Sequence, residues 1–527
     1  MRDAVVKLTG LDISVIVVFV ILLFGVAYWA SFVKKRKQGE SMFLAGKTLG
    51  WFSIGLTMWG TNVGPSMLIA NASSGFEGGI TAGNFSWYAF PFIFLLAFVF
   101  APRYLTAGVS TVPEFMGNRF GRKTRSYIAW YSIATIVISW LGLTLFSGGV
   151  FMAQILGLPM WLCIVILVAV SAAFAIAGGL RAIAYTNVFQ MLLLIGVSAL
   201  LTAMAIYKVG GLSAIAEKTP SEYWNLFKPM SDVDFPWLAI VLGYPVMGVW
   251  FWCTDQSMVQ STLGAKDLRQ GQLGANFTAW LKLLDIPLFI LPGVLCFILT
   301  PNLTSSTDAY LNLVKAVFPA GLIGLVVVVM VAALVSTIGS ALNSLSAVFT
   351  MDIYAKRIKA DAQQGDFNRV GRVVTLLGAA LSVFLAIAIT QIQGLSFFNI
   401  FQSVLGFIAP PMSAAFLLSV FWRKTTTRAI NLTLTAGTVF SMCTGILYYT
   451  GVMLTGVHFL LISFGIFVAL SVAIILISLL IPEAAGQKAN AEVTFSAKIK
   501  KPGKAVLVPW VILIAVMAAM YIIFNGH

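Results

Sequence analysis

The stretch Gly60-Thr61-Asn62-Val63-Gly64-Pro65-Ser66 falls in the middle of an apolar run near residues 51–75. Proline removes a helical hydrogen bond and pushes the residue before it out of the α region, and glycine weakens the helix around it. Inside a bilayer such an interruption is tolerable only beside a protein-lined or watery cavity, because lipid offers the freed backbone no partner. A second sequence of this kind, Gly243-Tyr244-Pro245-Val246-Met247-Gly248, interrupts the run near 235–262. The two stand five apolar runs apart, so each opens a set of five. Broken helices at matching positions in two halves point to an inverted repeat with a binding site at the membrane midplane. Either break alone also reads as an ordinary kink, which membrane helices often contain.

Composition supplies the bilayer. The 527 residues are 59% hydrophobic and only 10% charged, where soluble chains carry about 25% charged residues. Mean hydropathy is +0.95. Too few polar side chains exist to cover a water-facing surface, and the long continuous runs exclude the short alternating segments of an outer-membrane barrel. Runs long enough to span a core of about 30 Å lie near 12–33, 51–75, 80–102, 126–152, 159–178, 184–207, 235–262, 272–299, 317–354, 370–390, 396–421, 429–448, 457–481 and 505–524. The expected fold class is therefore an all-α polytopic membrane protein of about 14 transmembrane helices with a 5+5 inverted-repeat core. None of the longest connectors, 208–234, 355–369 and 482–504, is able to bury a core of its own.

The net charge of +15 suggests nucleic acid until its distribution is read. Of 33 Lys and Arg, Lys282 lies within a span; 26 fall in connectors assigned to one side and 6 on the other. Cytoplasmic loops collect Lys and Arg, so the 26-residue side is inside and both termini face outside. The run Lys34–Lys37 reads as a topology anchor or as a contact for anionic lipid. The first run is too long for a signal peptide, and its strong positive cluster follows rather than precedes it. Cys163, Cys253, Cys296 and Cys443 all lie within spans and show no metal-ligand spacing. The expected partners are the lipid bilayer and a small solute, with no nucleic acid and no obligate protein partner.

A further signal lies in the ninth run, where Ser336, Ser340 and Asn343 recur at helical spacing with Thr337 beside them. Hydroxyls in an apolar helix bond back to a carbonyl one turn earlier or line close helix contacts. Alternatively, they join carbonyls freed at the first break to make an oxygen cage for a hard cation. Lys282 offers a similar choice. Intramembrane charges default to function, whereas Asp285, three residues on, permits a structural ion pair.

Several segments together resemble the sodium/solute symporters, with the sodium/glucose cotransporters as the closest branch. They are Phe43-Leu44-Ala45-Gly46-Lys47, Thr61-Asn62-Val63, Trp252-Cys253-Thr254-Asp255-Gln256, Leu281-Lys282, the run Ser336 to Ser344, Thr350-Met351-Asp352-Ile353-Tyr354 and Phe421-Trp422-Arg423-Lys424. They occur in family order over nearly the whole chain. The resemblance implies a LeuT-like ten-helix core, with an N-terminal helix and basic loop in 1–50, one repeat in 51–208, an external loop in 209–234, the second repeat in 235–424 and extra helices in 425–527. It implies one sodium per cycle, held by carbonyls of Gly60, Val63 and Ala333 and hydroxyls of Ser336 and Thr337. A family aspartate that serves a second sodium is matched here by Asn187. It also implies solute contacts at Asn62, Trp252, Asp255, Lys282 and Gln402. Met67 and Ser86 stand where typical sugar carriers are polar or charged, so a different sugar, a polyol or a modified sugar fits as well as glucose. The expected activity is sodium-coupled import of such a solute. An amino-acid or carboxylate symporter of the same fold, or an uncoupled channel or solute sensor, remains as the alternative. No phosphate loop or nucleophile motif points to an enzyme.

Overall fold

The computed structural model describes residues 9–29, 43–358, 364–389, 397–481, 483, 489–495 and 501–524. The basic run Lys34–Lys37 lies outside them. Among the described residues the chain is helical, and strand pairing is confined to two isolated bridges, Leu49 with Ala265 and Lys228 with Pro236.

The first break forms where expected. Helix Trp51–Asn62 stops at Val63 (φ −89°, ψ 87°). Gly64 is extended (φ −101°, ψ 166°), and Pro65 starts the next helix, Pro65–Gly78. The local chemistry accounts for this: a residue before proline avoids the α region, and proline suits a first helical turn.

The second break is displaced from its expected place. Helix Trp237–Val249 runs unbroken through Gly243, Pro245 and Gly248, and a π-helical turn, Trp250–Thr254, follows it. The chain leaves the helix only at Asp255 (ψ 127°), whose carboxylate caps Gln256–Leu263. Pro245 does not unwind the helix because the carbonyl it frees, that of Val241, accepts from Tyr88 Oη at 3.4 Å. Gly243 serves close approach instead, since a Cβ there would lie 2.3 Å from the Leu460 carbonyl oxygen.

The same device recurs. At the bend between Leu268–Lys282 and Ile286–Leu299, which is 41°, Pro287 frees the Leu283 carbonyl, and Trp87 Nε1 donates to it at 3.3 Å. Within helix Phe397–Phe421, Pro410 and Pro411 free the carbonyls of Gly406 and Phe407. Ser463 Oγ donates to the first at 2.6 Å and Ser441 Oγ to the second at 2.5 Å. Each side chain comes from a neighbouring segment, so satisfying the backbone also fixes how helices meet.

By length and apolarity, ten helices among the described residues qualify as spans, or up to eleven if the bent pair counts as one. One expected run falls short for a physical reason: the run near 51–75 is cut into Trp51–Asn62 and Pro65–Gly78. The expected boundary between 159–178 and 184–207 is present as Gly179 (φ 58°, ψ −154°), a left-handed conformation that glycine enters without penalty.

Helix Leu322–Val348 is the buried axis of the molecule; nearly every residue from Val326 to Val348 is buried. It packs along Met160–Val209, Gly10–Tyr28 and Trp51–Asn62. Its first turn is held by Asp12, whose Oδ1 accepts from the amides of Gly321 and Gly324 at 2.8 and 2.7 Å.

Ser463→Ala and Ser441→Ala should each lower stability by about 0.6 kcal/mol, and at most about 1.7 kcal/mol. The Ser463→Ala loss should vanish in a Pro410→Ala background, where a restored amide reaches Gly406. Apparent Tm values in detergent, read as a double-mutant cycle, check this; an unchanged loss in the alanine background contradicts it.

Candidate functional site

Two adjoining features meet at the first break. The amide of Gly64 donates to Asn62 O at 3.2 Å and that of Met67 to Gly64 O at 2.9 Å. The carbonyls of Gly60 and Val63 are therefore not taken by the amides four residues further on, as they would be in a continuous helix. Helix Leu322–Val348 lies against this end. Thr337 Oγ1 donates to Thr61 O at 3.4 Å, and Thr61 Oγ1 reaches Thr57 O at 2.8 Å and Ser340 Oγ at 3.2 Å. Ser336 is 3% exposed, and its hydroxyl has no hydrogen-bond partner among the described residues. A buried hydroxyl without a partner costs about 1–3 kcal/mol, and a hard cation takes oxygen donors. The donor types suit a small monovalent ion, since carbonyls and hydroxyls offer oxygens without a full negative charge. Ala333 is buried on the same helix, one turn before Thr337. Asn187 is fully buried and both its amide atoms are unpaired among the described residues.

Beside the break lies a cavity of about 50 Å³, room for only a few waters at roughly 10–15 Å³ each. Asn62, Met67, Trp252 and Lys282, all expected from sequence, line it. Aromatic rings of Phe85, Trp140, Tyr244 and Phe251 complete much of its wall. The Lys282 ammonium lies 5.8 Å from the Trp252 ring centroid, within cation–π range.

Lys282 and Asp285 form a buried ion pair at 3% and 2% side-chain exposure. Lys282 Nζ also donates to Asn62 Oδ1 at 2.8 Å and Ser86 Oγ at 3.3 Å. Asp285 accepts from Trp59 Nε1 at 2.9 Å and from Ser86 Oγ at 2.8 Å. The two readings of Lys282 are thus both present in one geometry: it is paired, and it faces the cavity. Ser86 stands behind the wall, bonded to both charges.

Asp255 is placed differently from its expected role. It does not line the cavity, and its carboxylate accepts from Ser257 N at 2.9 Å, Met258 N at 3.3 Å and Trp140 Nε1 at 3.2 Å. An aspartate that ends one helix and caps the next has its oxygens committed. Gln402 sits on helix Phe397–Phe421, with its side chain outside the described residues. Sequence reasoning did not find Phe85, Trp140 or Phe251. Their positions carry no polar or periodic signal, and only packing brings them to the cavity.

Unwound backbone beside a membrane-enclosed cavity is how solute carriers build a midplane site, and this chain is a carrier of that class. Comparison with known proteins narrows the class. The model of the sodium:solute symporter family matches residues 42–437. Sodium/glucose cotransporter 1 of Ovis aries is 32% identical over 520 residues, covering 89% of this chain and 78% of that protein. A sodium/mannose cotransporter of Bos taurus is 31% identical over 527 residues, covering 91% and 88%. A substrate-bound, outward-open sodium-coupled sialic acid symporter superposes with a TM-score of 0.78 at 18% identity, covering 90% of this chain and 99% of that one. A nucleobase-cation-symport-1 family transporter, MHP1, superposes with a TM-score of 0.53 at 15% identity, covering 90% and 99%. These two share the fold. The chain belongs to the sodium:solute symporter family.

Lys282→Met or Asp285→Asn alone should cost about 3–5 kcal/mol, because each leaves a buried charge uncompensated. The double variant should recover much of that. Apparent Tm values of the four proteins in detergent decide it, and a double variant less stable than both singles contradicts the pairing.

Proposed function

We propose that this protein imports a neutral, sugar-like solute together with one sodium ion by alternating access. The observation that carries the solute class is the engagement of Lys282 by Asp285. With its charge already balanced, the ammonium presents a hydrogen-bond donor rather than a net positive site. Asn62 adds an amide beside it, and Trp252 a flat apolar face. Hydroxyl-rich, uncharged molecules match that combination; a carboxylate solute would compete with Asp285 for the same ammonium. The sugar-transporting names of the relatives support the same reading.

Sodium is the co-substrate, held by the carbonyls of Gly60, Val63 and Ala333 and the hydroxyls of Ser336 and Thr337. The partnerless Ser336 hydroxyl and the untaken carbonyls support this set. An amide at Asn187 in place of a carboxylate supports a single ion. The narrow cavity requires the helices to separate before a sugar enters, which alternating access provides. We assign fourteen spans, repeats at 51–208 and 235–424, and both termini to the outside, following the Lys and Arg distribution. Coupling follows if each ligand favours the same state, and it is then reciprocal. One charge crossing 100 mV supplies about 2.3 kcal/mol, and a tenfold sodium gradient adds about 1.4 kcal/mol. Together these sustain accumulation of several hundredfold.

Uptake of labelled sugars, polyols, sialic acid and amino acids into proteoliposomes tests this, with and without inward sodium. Sodium-dependent accumulation of a neutral sugar or polyol, reduced at least a hundredfold in Ser336→Ala/Thr337→Ala, is expected. Preference for an amino acid or carboxylate overturns the solute class. Equilibration without accumulation marks an uncoupled channel or sensor.

A further inference from the structure

We propose that a basic cavity on the connector side, remote from the solute cavity, holds the headgroup of an anionic phospholipid. The cavity, about 750 Å³, opens between the start of helix Arg122–Thr135 and helix Thr427–Leu432. Arg119, Arg122, Lys123 and Arg428 line it, with Asn118, Asn431 and Asn490 between them, and no carboxylate is among the described lining residues. The charge count puts these connectors on the cytoplasmic side, where anionic lipids attract basic residues.

Neighbouring acids are already engaged. Glu483 accepts from the amides of Thr427 and Ala489, Glu492 pairs with Arg423, and Glu114 lies 3.5 Å from Arg125. Arg119 is 2% exposed. Its terminal nitrogens donate to the carbonyls of Ser419, Trp422 and Arg423, while Nε, also buried, has no acceptor among the described residues. Burial lowers the Arg119 pKa to about 10, with Glu483 opposing the shift, so the group stays cationic at neutral pH.

What distinguishes a lipid from a soluble anion is the cavity's setting. It sits at the end of two spans, Arg122–Ala153 and Thr427–Tyr449. Tyr127 and Leu432 belong to both the cavity lining and the exposed surface, at 40% and 41% exposure, and Trp130 (49%) continues the strip along the span. A free phosphate meets only the cations. A phospholipid places its phosphate among them and its acyl chain along the exposed apolar strip, where interfacial Tyr and Trp are favoured. Each basic residue near an anionic headgroup is worth about fivefold in affinity, so losing three costs on the order of a hundredfold. This site is independent of the transported solute.

The test uses the full-length protein in detergent, titrated with phosphatidylglycerol, phosphatidylcholine or inorganic phosphate, and read by thermal shift and native mass spectrometry. Phosphatidylglycerol should bind and stabilise, and phosphatidylcholine should not. Arg122→Gln/Lys123→Gln/Arg428→Gln should weaken phosphatidylglycerol binding about a hundredfold, and Arg122→Lys/Arg428→Lys should retain most of it. All the substituted side chains are exposed, so a folding defect, visible as a lower Tm without lipid, is separable from lost binding. Equal phosphatidylglycerol binding by the glutamine variant overturns the site. Inorganic phosphate that binds as tightly as the lipid overturns the lipid assignment.

Discussion

Inside a bilayer every backbone carbonyl needs a partner, and most of this structure follows from how that requirement is met. Where prolines at 245, 287, 410 and 411 free a carbonyl, a side chain from another segment donates to it. Tyr88, Trp87, Ser463 and Ser441 do this in turn. At Gly60 and Val63 no amide among the described residues takes the place of the lost helical donor. The backbone is thus repaired at those four prolines and left open at the first break, beside the cavity.

That economy explains the position of the charge network. Asn62 is the last residue of the broken helix and accepts from Lys282. Trp59, one turn earlier, donates to Asp285. One short stretch of chain therefore carries two of the proposed ion ligands, Gly60 and Val63, and the anchors of the Lys282–Asp285 pair. Filling either proposed site biases the same few residues, which is the minimum that thermodynamic coupling demands. The helix bearing Ser336 and Thr337 is itself tethered at its start by Asp12 from the first helix, so the first helix helps to position it.

The connector side shows how a positive charge excess acquires local structure. Lys and Arg gather there for topological reasons, yet at one place helix ends bring Arg119, Arg122, Lys123 and Arg428 around a single cavity. Buried carbonyls hold Arg119, and Arg122, Lys123 and Arg428 line the cavity beside it.

The sequence alone determined the helical membrane class, because 59% hydrophobic residues leave no other solvent. It also determined the first break, since Pro65 keeps Gly64 before it out of a helix by local sterics, and the hydroxyl spacing of the helix that meets it. Asn62, Met67, Trp252 and Lys282 were legible through family resemblance and do share one cavity. Tertiary structure decided the rest. Pro245 looked like a break but is not one, because a distant tyrosine satisfies its freed carbonyl. Asp255, expected as a solute contact, caps helix Gln256–Leu263, because the chain turns there and not ten residues earlier at Pro245. The Lys282–Asp285 pair was visible as a spacing, but its junction with Trp59, Ser86 and Asn62 required two other helical segments, Trp51–Asn62 and Asn84–Trp87, to converge. Local sterics act between neighbours in sequence and can be read there; who satisfies a buried donor or charge depends on which helices meet.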